Sequence, residues 1–211
     1  MDARNITQRI VVLAVLTGVA CLASTAYSNL IYTYGSPFNL SIPSPTASEA
    51  EYGRGWMDDA IINIPDHIII SDVDIAITVT HTNVFDLQLQ LKSPAGNSCW
   101  LNFYNFDEFF IGANYTATVF DDEADLPIEH GHAPFVGRFR PRNPLDVFDN
   151  RDAFGTWRLR ICDMHYYDTG TLESFELTIT TTPEPATVLL LGLGATLITL
   201  LKPIRRTTAH R

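Results

Sequence analysis

The residues best equipped for chemistry in this chain are carboxylates. Asp121, Asp122, Glu123 and Asp125 fall almost consecutively and are followed by Glu129, His130 and His132. Oxygen donors at that density suit a hard cation such as calcium, and Asp86 and Asp163, each next to an apolar run, supply further donors. The calcium expectation therefore rests on Asp86, Asp121, Asp122, Glu123 and Asp163. The spacing is not that of an EF-hand loop, so the fold itself must bring these groups together. The competing reading is a solvated acidic loop whose Asp side chains accept backbone hydrogen bonds. His130-Gly131-His132 offers two imidazoles for zinc, against the commoner exposed loop histidines.

Hydrolytic chemistry finds less support. Asp168-Thr169-Gly170-Thr171 has the letters of an aspartic-protease active site, but that chemistry needs two carboxylates sharing one proton, and the motif occurs once. His67, His81, His130, His132 and His165 are not accompanied by a Gly-x-Ser-x-Gly nucleophile elbow. No catalytic residue is expected. Cys99 and Cys162 fit either one disulfide, in an oxidising compartment, or two small buried core residues, and both readings stay open.

Charge narrows the partners. Between residues 27 and 182 there are 22 Asp and Glu against 8 Lys and Arg, a net of −14 within a chain whose total is −10. Phosphate backbones demand a basic footprint, so nucleic acid is not an expected partner.

The ends carry addresses. Arg4 and Arg9 precede an apolar run from Ile10 to Leu22 and then the small residues Ala23 to Ala26, the layout of a signal peptide over residues 1–26. At the other end, Pro183-Glu184-Pro185 introduces the apolar stretch Ala186 to Leu201, and Lys202, Arg205 and Arg206 close it. That stretch is a candidate transmembrane helix, somewhat under the ~20 residues that span a bilayer comfortably. The basic residues favour the cytoplasmic side, which puts the upstream domain outside. Pro183, Glu184, Pro185, the apolar helix and the Arg205-Arg206 cluster, over residues 183–211, resemble the PEP-CTERM sorting signal of bacterial surface proteins. The resemblance implies a membrane partner and a sorting enzyme of the exosortase type that cuts near the Pro-Glu-Pro. It also implies an envelope or exopolysaccharide-matrix setting.

Between these ends the positioning elements are strands. Residues 27–51 are rich in Ser, Pro, Thr and Tyr and read as an extended lead-in, with a first short strand near Leu30 to Tyr34. From residue 52 to 182 apolar residues alternate with polar ones: Val73, Ile75, Ile77 and Val79; Leu87, Leu89 and Leu91; Trp157, Leu159 and Ile161; Phe175, Leu177 and Ile179. Period two with one apolar face marks half-buried strands. Ser93-Pro94-Ala95-Gly96, Pro141-Arg142-Asn143-Pro144 and Asp168-Thr169-Gly170 punctuate them as turns. The expectation is an all-β, jelly-roll-like sandwich with a signal helix before it and a membrane helix after it. Phe103, Tyr104, Phe106, Phe109 and Phe110 crowd one loop, either capping the sandwich or docking a partner.

The order of the motifs is more specific than the fold class. Ser71-Asp-Val-Asp-Ile75, His81-Thr82, Asp86-Leu-Gln-Leu-Gln-Leu91 and Ser93-Pro-Ala-Gly96 come first. Phe120-Asp-Asp-Glu-Ala124, Gly155-Thr-Trp157-Arg-Leu-Arg-Ile-Cys-Asp163 and Gly170-Thr-Leu172 follow. The series resembles the P domain (P/Homo B) of proprotein convertases and bacterial subtilisin-like proteases. In that family the domain follows a subtilisin-like catalytic domain and helps it fold. The mature region here is shorter than such a domain, so the resemblance implies a non-catalytic module, with proteolysis entering through a separate protease partner. Matrix polysaccharide is the other expected partner.

Overall fold

The computed structural model describes residues 29–45, 54–103 and 111–181. Ten strands account for most of them: β1 (Leu30–Ile42), β2 (Gly55–Trp56), β3 (Ala60–Ile64), β4 (Asp72–His81), β5 (Leu87–Lys92), β6 (Ser98–Asn102), β7 (Tyr115–Phe120), β8 (Phe135–Phe139), β9 (Gly155–Asp163) and β10 (Gly170–Thr181). They form two five-stranded sheets, one in the order β1-β10-β4-β7-β8 and the other β2-β9-β5-β6, with β3 also on β9. Pairing is antiparallel except between β7 and β8.

The alternation read from sequence becomes the core. Val73, Ile75, Ile77 and Val79 of β4, Leu87, Leu89 and Leu91 of β5, Leu159 and Ile161 of β9, and Phe175, Leu177 and Ile179 of β10 are all buried. Apart from Asp86 and Cys162, which are buried, their polar neighbours stay at least partly exposed, as expected when one face of each sheet meets the other sheet. Trp157 is fully buried, edge-on to Phe148 with ring centres 5.1 Å apart, and its indole N–H donates to the Ala153 carbonyl at 2.9 Å. Burying an indole without that acceptor would leave a polar N–H unsatisfied.

The short strand expected near Leu30 to Tyr34 extends through much of the lead-in: β1 runs 13 residues and pairs with β10 from Leu30↔Thr181 to Ile42↔Gly170. Tyr32, Tyr34, Phe38 and Leu40 pack against the core with one parity, and a break in pairing register lies between Pro37 and Leu40. Of the turn residues Gly96 and Gly170, the first has a left-handed backbone (φ 87°), whereas the second is required for space. A Cβ there would lie 2.4 Å from the Thr80 carbonyl oxygen and 2.5 Å from the His81 ring.

The signal segment, the Pro183 to Arg206 tail and the aromatic residues Tyr104 to Phe110 lie outside the described residues. Among the described residues no helix is long and apolar enough to cross a membrane.

Candidate functional site

Two of the crossings between the sheets, β4 to β5 and β9 to β10, meet at one end of the sandwich. β4 ends at His81; residues 82–86 then carry the chain to the second sheet through a 3-10 turn at Val84–Asp86, where β5 begins. β9 ends at Asp163, opposite Leu87, and the loop 164–169 returns the chain to β10, whose Gly170 pairs with His81. Asp86, Asp163, His81, His165 and Asp168 are thereby collected in one place, although Thr82 and Asp168, joined by a hydroxyl-to-carboxylate hydrogen bond, are 86 positions apart.

Each side chain is held by a specific partner. The Asn83 amide donates to Asp86 Oδ2 at 2.9 Å while its oxygen accepts from the Gly112 N–H. Asp163 Oδ1 accepts the His165 backbone N–H at 2.9 Å, and the Met164 N–H donates to the Asp86 carbonyl. Ser44, just after β1, accepts the Tyr167 N–H and ties down the outer loop. Ligand atoms of Asp86, His165 and Asp168 all lie within 4.8 Å of one another. Burial pushes the Asp86 carboxyl above its ordinary value; the charges of Asp163 and Asp168 push the same way, against His165 and the Asn83 hydrogen bond.

Beside this trio lies a pair from opposite sheets. His81 Nε2 and Asp163 Oδ2 are 3.4 Å apart, and both side chains are fully shielded from solvent. The separation is within ion-pair range, yet neither atom makes a hydrogen bond. Buried polar atoms left in that state are uncommon in folded proteins.

The calcium set read from sequence divides between two regions. Phe120 pairs with Ile75, so Asp121 adjoins the start of β4, whereas His81, Asp163 and Asp86 stand at its end. The seven residue steps from Asp74 to His81 correspond to about 24 Å of strand. Asp86 and Asp163 therefore do not share a site with Asp121, Asp122 and Glu123. Those loop carboxylates have structural work instead. Asp121 accepts Arg138 Nε at 2.6 Å and the Glu123 N–H at 2.8 Å, and Asp122 accepts the Leu145 and Asp146 N–H groups at 2.7 and 3.1 Å. Arg138 also donates to Asp74 at 2.8 Å. Desolvation pushes Asp121 upward, but Arg138 and the Glu123 hydrogen bonds outweigh it and hold its carboxyl below the ordinary value. Glu123 moves the other way, raised first by its hydrogen bond with Asp121 and then by burial.

Cys99 and Cys162 are free and buried. Cys99 pairs with Leu91 on the core side, whereas Cys162 is one residue out of phase with the inward Ile161 and pairs with Gln88. β5 separates their strands and they project from opposite faces, so no disulfide can form without rebuilding the sheet. Burial pushes both thiols up to about 12.

The family model for the proprotein convertase P-domain matches residues 70–179, which include His81, Asp86, Asp163, His165 and Asp168. The chain belongs to the proprotein convertase P-domain family. Among solved structures, this P-domain chain is similar to the serine protease of Aeromonas sobria in complex with a chaperone. That match has a TM-score of 0.43 and 15% identity, covering 74% of this chain and 28% of that one. It is also similar to the same protease alone, with a TM-score of 0.40 and 17% identity, covering 72% of this chain and 27% of that one. The P-domain chain thus spans little more than a quarter of the length of either structure. No curated protein matches.

Asp86 and Asp163 belong to the expected calcium set but stand apart from Asp121, Asp122 and Glu123, while His165 and Asp168, in the sequence a histidine without a nucleophile partner and a turn residue, join Asp86. The available signal was the position of Asp86 and Asp163 at strand ends. The ends that coincide are fixed only by the order β9-β5 in one sheet and β10-β4 in the other.

Proposed function

We propose that this chain is an exported, surface-attached P-domain module, a jelly-roll-like sandwich with a structural or binding role and no catalysis of its own. In this reading residues 1–26 direct export, the sandwich of residues 30–181 works outside the cytoplasm, and residues 183–211 are a sorting tail for an exosortase-type enzyme. One observation carries the binding role: the inner faces of both sheets close on a single buried core, so recognition falls to the loops and outer surfaces. The net charge of −14 over residues 27–182 supports a partner that is not a polyanion.

A second reading is favoured by the family match over residues 70–179. The module would then serve as an accessory of a separate subtilisin-like serine endopeptidase, supporting its folding or docking in trans. The test is to fractionate the producing cell and titrate the purified full chain with the producer's own exopolysaccharide and with a purified subtilisin-like protease. Surface location with saturable polysaccharide binding supports the first reading, and surface location with a change in protease lifetime supports the second. A chain that stays in the cytoplasm overturns both.

A further inference from the structure

We propose that Asp86, His165 and Asp168 form a binding site for a divalent transition-metal ion of the zinc class. The donor set is two carboxylates and one imidazole, with ligand atoms all within 4.8 Å of one another. Mixed nitrogen and oxygen donors suit zinc and its neighbours, and three protein donors leave a fourth position for water or an external ligand. Calcium favours six to eight oxygens, and this trio does not offer them.

Each donor is already oriented in the manner of a metal ligand. Asp86 gives one oxygen to the Asn83 amide, and Asp168 gives one to the Thr82 hydroxyl, leaving the second oxygen of each for a cation. His165 Nδ1 lies 3.4 Å from the Tyr166 carbonyl oxygen. Such outer partners fix ligand geometry and are a regular feature of metal sites. The burial gradient fits as well, running from buried Asp86 through half-buried Asp168 to exposed His165, so an ion can enter from solvent.

A further unsatisfied pair lies beside the trio. Asp163, fully buried beside Asp86, has an oxygen without a hydrogen bond, and the facing His81 nitrogen has none either. Among the described residues no Lys or Arg forms an ion pair with Asp86, Asp163 or Asp168, whereas Asp74, Asp121, Glu129 and Asp59 each have an Arg. His81 and His165 are the basic groups beside these carboxylates, and a divalent ion at the trio would supply further positive charge where carboxylates are concentrated.

This inference does not depend on either reading of the module's partner. The test uses the full chain, stripped with a chelator and titrated with Co2+, Zn2+ and Ca2+. The expected result is one Co2+ per chain with the visible absorption of a low-coordinate nitrogen and oxygen site, displaced by Zn2+. His165→Ala and Asp168→Asn should each weaken Co2+ binding at least about tenfold, and Asn83→Ala should weaken it by a similar factor through the outer partner. His130→Ala, outside the trio, should leave it unchanged. Near-ultraviolet dichroism of the metal-free variants checks that the exposed His165 and half-buried Asp168 changes leave the fold intact. Absence of Co2+ binding at millimolar metal overturns the proposal. So does a preference for Ca2+ indifferent to His165→Ala, or equal loss in His130→Ala.

Discussion

Replacing Leu177 by Ala tests the sandwich at a fully buried point of its core. Leu177 lies in β10, paired with Tyr34 of β1 on one side and Ile75 of β4 on the other, and its side chain is fully buried. Loss of the branched end removes buried carbons worth about 0.8 kcal/mol each, roughly 2.4 kcal/mol for three. Neighbours held on a hydrogen-bonded central strand cannot collapse fully into the gap, and the residual cavity brings the total to about 3–4 kcal/mol. For a chain of this size that lowers Tm by about 10 °C. The neighbouring Glu176 projects outward and is exposed, so Glu176→Ala should stay within about 0.5 kcal/mol of the parent. Thermal unfolding of the full chain, followed by far-ultraviolet dichroism, reads both. Equal effects of the two substitutions, or a Leu177→Ala loss below about 1 kcal/mol, would refute the assignment of inward and outward faces.

Gly170→Ala should destabilise by about 1–3 kcal/mol because the new methyl collides with Thr80 backbone and the His81 ring, and chemical denaturation measures it. Asp72→Asn addresses pH. Burial, then the charge of Asp74, raises the Asp72 carboxyl above 3.8, so the native state holds its proton more tightly than the unfolded chain. Stability of the parent therefore falls as pH rises from 3.8 through the folded value; the variant lacks that loss and should be the more stable at pH 7, the advantage fading toward pH 3.8. Denaturant midpoints across that range check the sign, and a gain that persists unchanged in acid would contradict it. Cys99 and Cys162, buried and raised to about 12, should resist iodoacetamide in the native chain and react only after unfolding, as read by peptide mapping.

The strands most legible in the sequence are those that contain a run of strict alternation. β4, β5, β9 and β10 each keep an inward apolar residue at every second position through most of their length, and each lies in the interior of its sheet. β1 was legible only as a short strand near Leu30 to Tyr34, because Gly35, Ser36 and Pro37 interrupt it, although Tyr32, Tyr34, Phe38, Leu40 and Ile42 keep one parity along this edge strand. The site was half legible. Asp86 and Asp163 announce themselves as acids beside apolar strands, but Asp121 and Asp122 do so equally. What separates them is tertiary: Arg138 reaches Asp121 and backbone amides reach Asp122, while Asp163 and His81 face each other across the two sheets without a hydrogen bond. No local pattern encodes which strand ends coincide.

The meeting of those ends is the most exposed consequence of the whole account. A nuclear Overhauser spectrum of the labelled full chain would test it at Gly170 and His81, where a Cβ on the glycine would lie 2.5 Å from the imidazole Cδ2. A strong cross-peak between the Gly170 α-protons and the His81 Hδ2 proton is the predicted result. An assigned His81 ring without that cross-peak would mean that β4 and β10 do not end together, and the fold's candidate site would not exist.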